Sequence, residues 1–177
     1  GGELMAGTGK AHLRPEDDVL IRVEDLVVEF PAGRGRTVKA VSGISFDIAK
    51  GETLGLVGES GCGKSTTGRA LIQLPSPTSG SVRHGLVELT ELSDEAMRRR
   101  RTDIQMIFQD PISSLNPRRT VGEIVAEPLR VWGPKGAAEQ KALVDRILDA
   151  VGIDPDLARD KRPHEFSGGQ CQRISIA

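Results

Sequence analysis

Aromatic residues are scarce in this sequence, and its net charge is close to zero. Phe, Trp and Tyr make up 3% of the 177 residues, and tyrosine is missing. So low an aromatic content argues against a surface that stacks the bases of single-stranded nucleic acid. The 24 Lys and Arg residues face 25 Asp and Glu residues, whereas nucleic-acid binders usually carry a basic surplus. We therefore expect no nucleic-acid partner.

Long apolar runs and paired cysteines are also lacking. No stretch approaches the ~20 apolar residues that a membrane-spanning helix needs, and no signal peptide is visible at the start. The two cysteines, Cys62 and Cys171, do not suggest a disulfide framework. With 37% hydrophobic and 28% charged residues, the sequence indicates one compact globular domain in a reducing cytoplasm.

Both ends are interpreted as cut from a longer protein. The first methionine is Met5, and Ala177 falls inside an apparently helical stretch with no Gly or Pro stop signal. Residues 1–18 mix Gly and charged residues without periodicity, which predicts a disordered leader. Residues 19–177 are then expected to form the domain.

Apolar patterns predict five strands, at residues 19–30, 44–48, 53–58, 80–89 and 104–109. The runs at 53–58 and 104–109 are continuously apolar, which is typical of strands buried on both faces of a parallel sheet. Residues 44–48 alternate instead, which predicts a half-buried strand.

Helices are predicted over residues 64–74, 93–101, 121–130 and 137–151. Pro75 and Gly152 supply stop signals, and Ser93 is the predicted N-cap of the second helix. The segments 31–36, 110–120 and 153–165 are predicted to be loops or mostly irregular.

The strongest motif, here called the phosphate loop, covers residues 58–66: Gly58, Glu59, Ser60, Gly61, Cys62, Gly63, Lys64, Ser65 and Thr66. Its glycines let backbone N–H groups approach phosphate oxygens, and the helix that follows points its positive end at the anion. Lys64 is expected to reach the β- and γ-phosphates, and Ser65 to offer its hydroxyl to Mg²⁺. A plain glycine-rich turn is the structural alternative, but the strand before and the helix after match the context of the motif.

A second segment, the signature segment, comprises Phe166, Ser167, Gly168, Gly169 and Gln170. Two glycines at the start of a helix expose backbone N–H groups, and the serine adds a hydroxyl, so the segment is a candidate second anion site. An ordinary Ser-Gly-Gly loop is the alternative reading.

Together these two motifs resemble the ATP-binding-cassette (ABC) family, whose signature is Leu-Ser-Gly-Gly-Gln. Phe166 replaces the leucine and keeps an apolar anchor. The resemblance covers residues ~20–177. It implies ATP and Mg²⁺ as cofactors, and it implies that two nucleotide domains pair head to tail, so that the signature segment of one closes over the ATP of the other.

Two further site residues are implied by the resemblance alone. Gln109, at the end of the run 104–109, matches the family glutamine that helps to order Mg²⁺ and the attacking water and relays ATP binding to the membrane subunits. Phe30 is the candidate aromatic for stacking on adenine. The alternative for Gln109 is an ordinary solvated side chain. The alternative for Phe30 is a core residue of its strand.

The resemblance narrows to the dipeptide and oligopeptide importer branch through three stretches, GETLGLVGESGCGKST, IFQDPISSLNPRRTVGEIVAEPLR and RPHEFSGGQCQRI. It implies a transport-coupled ATPase on the cytoplasmic face of the cell membrane, peripheral to it. The implied partners are transmembrane permease subunits, a second ATP-binding subunit and, indirectly, an extracytoplasmic solute-binding protein.

The expected fold class is α/β, a P-loop NTPase with a parallel core sheet, an antiparallel β layer from residues 19–48 and 80–89, and a helical subdomain over about 112–170. By resemblance, the Asp-Glu pair that completes the catalytic site lies beyond Ala177, and Asp110 stands in the wrong motif to serve as the general base. The 177-residue chain is therefore expected to be inactive. The alternatives are an ABC-type ATPase not coupled to transport, an unrelated phosphate-loop kinase and a fragment without turnover.

Overall fold

The computed structural model describes residues 13–15, 18–134 and 136–177. These residues divide into two compact units, one ending at Met106 and the other spanning Ile107–Ala177. Most of the predicted leader, residues 1–12 and 16–17, lies outside the described residues.

An antiparallel sheet forms the frame of the first unit. Its strands are β1 (Val19–Pro31), β2 (Thr37–Ala49), β3 (Ser79–His84) and β4 (Val87–Glu88), in the order β2-β1-β3-β4. The antiparallel layer expected from the sequence is therefore confirmed. β2 starts seven residues before the predicted strand at 44, because its first half pairs with the second half of β1, where Phe30 lies opposite Val38.

The core of the first unit joins this sheet to two helices, α1 (Lys64–Leu71) and α2 (Asp94–Arg100). Val23 and Leu26 of β1 and Val82 of β3 are fully buried. They belong to one cluster with Ala70 of α1 and Met97 of α2. Burial of such apolar side chains supplies most of the stabilising free energy of a small unit.

The two helices follow their sequence signals closely. Ser93 caps α2 as predicted, with its Oγ accepting a hydrogen bond of 3.3 Å from the backbone N–H of Ala96. α1 ends at Leu71, three residues before the predicted end. The chain departs from the helix there because Gln73 takes a left-handed backbone conformation, with φ of 56°, and its side chain donates to the Ala70 carbonyl oxygen.

The predictions of strands at 53–58 and 104–109 are wrong, because the described chain contains no strand in either segment. Their apolar side chains are not buried: Val57 is 91% exposed, and Ile107 is 55% exposed. A doubly buried strand requires neighbouring strands on both edges to satisfy its N–H and C=O groups. Apolar sequence alone therefore cannot hold these segments in a sheet.

The second unit is helical throughout its regular elements, which are α3 (Pro111–Ser114), α4 (Val121–Trp132), α5 (Ala137–Ala150), α6 (Pro155–Ala158), a 3-10 helix (Pro163–Glu165) and α7 (Gly168–Ile176). The two longest helices confirm the predictions at 121–130 and 137–151. Gly152 follows α5 with φ of 71°, the left-handed residue that commonly stops a helix.

The short helices α3 and α6 lie in segments that were predicted to be irregular. Each begins with an Asp-Pro pair: Asp110 and Asp154 accept backbone hydrogen bonds as N-caps, and proline occupies the first helical position. Proline is favoured there because that position has no intrahelical use for an N–H group. This pair was the available sequence signal for both helices.

The core of the second unit forms where α4, α5 and α7 meet. Val121 and Leu148 are fully buried, and Cys171 and Ile174 are 1% and 2% exposed. α4 starts with a capping box, in which Thr120 and Glu123 bond each other's backbone N–H groups. Over the described parts of the chain, no helix has both the length and the apolar character required to cross a membrane.

Candidate functional site

The phosphate loop leads directly into α1, and its backbone is set by glycines. Gly61 and Gly63 have φ of 82° and 97°, values that side chains other than glycine's rarely tolerate. Gly63 is the N-cap residue of α1 and provides no side chain to bond the first N–H groups of the helix. Those donors are therefore available to an external acceptor, which is the local requirement for holding an anion at a helix start.

Close packing against the backbone explains Gly63, whereas the neighbour of Gly58 is the sulfur of an exposed side chain that can rotate away. A Cβ on Gly63 would lie well within 3.0 Å of the Ala40 carbonyl oxygen of β2, and a Cβ on Gly58 would lie 2.6 Å from the Cys62 Sγ. Gly61, in contrast, has open space where its Cβ would be. Contact with β2 therefore fixes the position of the loop at Gly63, while Gly61 is needed only for its backbone conformation.

Lys64 lies across the loop that precedes it. Its Nζ donates to the carbonyl oxygens of Gly58 and Glu59, at 2.8 and 2.6 Å, and lies 3.6 Å from the Cys62 Sγ. The ammonium group is thus held over the concave side of the loop by neutral acceptors, with no carboxylate among these partners. A cation held in this way can exchange weak carbonyl contacts for stronger ones to an anion.

The remaining loop residues are open to ligands. Glu59, Ser60, Cys62 and Ser65 are exposed, and Thr66 is half-buried in the first turn of α1. Ser65 places a hydroxyl, a hard oxygen donor of the kind that Mg²⁺ accepts, at that turn.

A cavity of about 480 Å³ adjoins the loop. Among the residues that line it are Lys39, Ala40, Val41, Cys62, Gly63 and Lys64. Its charged lining side chains are both lysines, so the cavity favours an anionic ligand. Phe30 does not line it; this residue lies near the end of β1 and is 40% exposed.

The signature segment starts α7 in the second unit. The Ser167 Oγ accepts from the Gln170 backbone N–H at 3.3 Å, and the Gln170 Oε1 accepts from the Ser167 N–H at 2.9 Å. Gly168 and Gly169 are exposed, and a Cβ on either would meet no other atom within 4 Å. Phe166 is packed against the core of this unit, as expected if it serves as the apolar anchor in place of the leucine of the family signature.

Gln109 is exposed and directly precedes the N-cap of α3. The next residue, Asp110, is engaged in that cap: its Oδ1 accepts from the backbone N–H groups of Ile112 and Ser113 at 3.1 and 3.3 Å. These bonds, the one from Ser113 first, lower the pKa of the Asp110 carboxyl. A carboxylate stabilised in its charged form is a poor proton acceptor, which agrees with leaving Asp110 out of the catalytic residues.

The structure thus groups the predicted residues into two sets. Residues 58–66 lie together in the first unit, which also contains Phe30, and Gln109 and residues 166–170 belong to the second. Lys39, which the sequence reading did not single out, also lines the cavity beside Lys64. A lysine on a strand gives no local signal of such a role.

These features describe a glycine-rich loop at a helix start whose backbone donors are open to an anion, and comparison with known proteins identifies the family of the chain. The ABC transporter family matches residues 41–177, and the chain belongs to this family as an ATP-binding cassette.

Three relatives illustrate the similarity. The chain is 49% identical to the oligopeptide transport ATP-binding protein OppF of Escherichia coli strain K12, over 90% of this chain and 50% of the relative. It is 47% identical to OppF of Haemophilus influenzae, over 90% and 51%. It is also 47% identical to the glutathione import ATP-binding protein GsiA of Pectobacterium atrosepticum, over 96% and 27%. The chain spans about half the length of the first two.

Solved structures of ATP-binding cassettes share the fold. The cassette MJ0796, in a dimeric post-hydrolysis state bound to ADP and Pi, superposes with a TM-score of 0.77 at 26% identity, over 88% of this chain and 67% of the other. CbiO1 from Clostridium perfringens, part of an ABC transporter complex, gives 0.71 at 28% identity, over 90% and 60%. These neighbours confirm the expected α/β fold of an ATP-binding cassette. The parallel core sheet of that expectation does not occur among the described residues, whose strands all pair antiparallel.

Proposed function

We propose that this chain is the ATP-binding part of an ABC importer subunit, which couples ATP binding and hydrolysis to solute import. The observation that carries the proposal is the phosphate loop, where Gly63 presses against β2 in a left-handed conformation and leaves the N–H groups of α1 without a side-chain cap. Family membership supports the same conclusion.

The residues of the first unit fit a bound nucleotide. Backbone N–H groups of residues 58–66 would surround the phosphates, Lys64 would neutralise charge on the β- and γ-phosphates, and Ser65 would bind Mg²⁺. Gln109 remains our candidate, by family resemblance, for a further Mg²⁺ ligand. When bound, Mg²⁺ offsets the negative charge that phosphoryl transfer concentrates on the phosphate oxygens. Phe30 remains our candidate for stacking on adenine.

The second unit would complete the site of a partner. We propose that Ser167, Gly168, Gly169 and Gln170 close over the nucleotide of a second ATP-binding subunit in a head-to-tail dimer. Support comes from the open surface at both glycines and from the dimeric state of the MJ0796 neighbour. Residues of about 112–170 would form the helical subdomain, a proposal supported by the helical character of this unit.

Peptides are the proposed cargo, because two of the relatives described above are oligopeptide transport proteins and the third imports glutathione, itself a small peptide. On this proposal the subunit acts at the cytoplasmic face of the cell membrane with permease subunits, and indirectly with an extracytoplasmic solute-binding protein.

Nucleotide binding is tested by titrating the purified chain with a fluorescent ATP analogue and Mg²⁺. Lys64→Ala should raise the Kd at least about tenfold, since a charge-assisted contact to phosphate is worth roughly 1.5–3 kcal/mol. Lys50→Ala, in the exposed turn after β2, is the matched control and should bind like the unaltered chain. Equal affinities for Lys64→Ala and the control would contradict the proposal.

Peptide import is tested in cells whose genomic copy of the gene carries Lys64→Ala. Uptake of a radiolabelled tripeptide should fall to background, while uptake of a free amino acid by other systems should not change. Unaltered tripeptide uptake would refute peptides as the cargo without affecting the ATP-binding proposal.

A further inference from the structure

The wall of β2 brings a second lysine to the cavity beside the phosphate loop. Lys39, Ala40 and Val41 line it on one side, and the phosphate loop with Lys64 lines it on another. The contact between Gly63 and the Ala40 carbonyl oxygen holds these two walls together. Because Lys39 directly precedes Ala40 on β2, its position relative to the loop is fixed by the backbone.

Lys39 has only one partner of opposite charge in the described structure, and that contact is loose. Its Nζ lies 3.6 Å from a carboxylate oxygen of Glu29, the residue opposite it on β1. The lysine side chain is 63% exposed and the glutamate side chain 24%. At 3.6 Å, with the ammonium on the exposed partner, the ion pair contributes only modestly to folding stability, so an anion of higher charge can draw the lysine away from Glu29.

We propose that Lys39 is a second phosphate-binding cation, which releases Glu29 and contacts the polyphosphate of the nucleotide when it enters the cavity. This inference rests on the proposed ATP-binding function. It follows from the lining of the cavity, whose charged side chains are Lys39 and Lys64. Two cations on separate walls suit a ligand that carries several negative charges along its length.

The proposal makes Glu29 a competitor for the ammonium group of Lys39. Removing the carboxylate should therefore improve nucleotide affinity, whereas removing the ammonium should reduce it. If the ion pair has a purely structural role, a different result is expected. Either substitution then breaks the same contact, and neither changes the affinity for nucleotide. The signs of the two effects separate these possibilities.

The experiment measures the Kd of the purified chain for ATP with Mg²⁺, and for AMP, in four variants. Lys39→Gln should raise the Kd for ATP about threefold, and Glu29→Gln should lower it about twofold, the sizes expected for an exposed charge pair. The double variant should match Lys39→Gln alone. AMP, with one phosphate, should respond less, and Lys50→Gln should have no effect.

Salt provides a second measurement, since the dependence of the Kd on ionic strength should be weaker in Lys39→Gln than in the unaltered chain. If the unaltered chain and all four variants bind ATP equally well, or if Lys39→Gln and Glu29→Gln both weaken binding, the role of Lys39 is refuted while nucleotide binding stands. If the unaltered chain and Lys64→Ala bind ATP equally poorly, the proposed function fails, and this inference fails with it.

Discussion

A methyl group at Gly63 should separate the phosphate loop from β2. The left-handed conformation of this residue costs an alanine about 1–2 kcal/mol. The new Cβ would also lie well within 3.0 Å of the Ala40 carbonyl oxygen, a backbone atom that cannot rotate away. Overpacking of this kind costs about 1–3 kcal/mol more. We expect Gly63→Ala to lower the free energy of unfolding of the first unit by about 2–5 kcal/mol.

Gly61→Ala is the matched control for this substitution. Gly61 has a similar backbone conformation, with φ of 82°, but no atom lies within 4 Å of its would-be Cβ. It should therefore show only the conformational cost, about 1–2 kcal/mol. The difference in the free energy of unfolding between the two variants measures the contact with β2.

Urea unfolding followed by far-UV circular dichroism is the appropriate assay. The single tryptophan of the sequence is Trp132, which belongs to the second unit, so its fluorescence reports on the other half of the chain. Equal unfolding midpoints for the two alanine variants would refute the argument that contact with β2 positions the loop.

Three further outcomes are expected. A maleimide should label the exposed Cys62 and block nucleotide binding, and MgATP should slow the labelling; equal rates with and without MgATP would count against placing Cys62 in the phosphate site. Ser167→Ala, which removes the N-cap of α7, should destabilise the second unit by about 1 kcal/mol, measured by urea unfolding with Trp132 fluorescence, and no change would disprove the cap. The hydrogen bond from Arg14 lowers the pKa of Glu52 from 4.5 to about 2, so Glu52 stabilises the fold above pH 4.5. In urea titrations, the unaltered chain should have a higher free energy of unfolding than Glu52→Gln at neutral pH, and this difference should shrink as the pH falls towards 2. A difference that does not change with pH would rule out this assignment.

Local sequence signals were sufficient to predict the structure wherever it depends on a few neighbouring residues. The phosphate loop was recognisable because glycine spacing, an adjacent lysine and the start of a helix all lie within nine residues. The cap at Ser93 and the stop at Gly152 are equally local, since each depends on a hydrogen bond or a backbone conformation next to the residue itself. The two motifs also sufficed to predict the family, and with it the fold class.

Tertiary structure decided the features that depend on distant partners. The apolar segments 53–58 and 104–109 were predicted to be strands, but a strand requires hydrogen-bonding neighbours that its own sequence does not contain. Only the folded chain showed that Gly63 contacts Ala40, which precedes it by 23 residues, and that Lys39 lines the same cavity as Lys64. Sequence thus fixes chemistry within a turn or a cap, whereas pairing, burial and cavity walls arise from contacts between residues far apart in the chain.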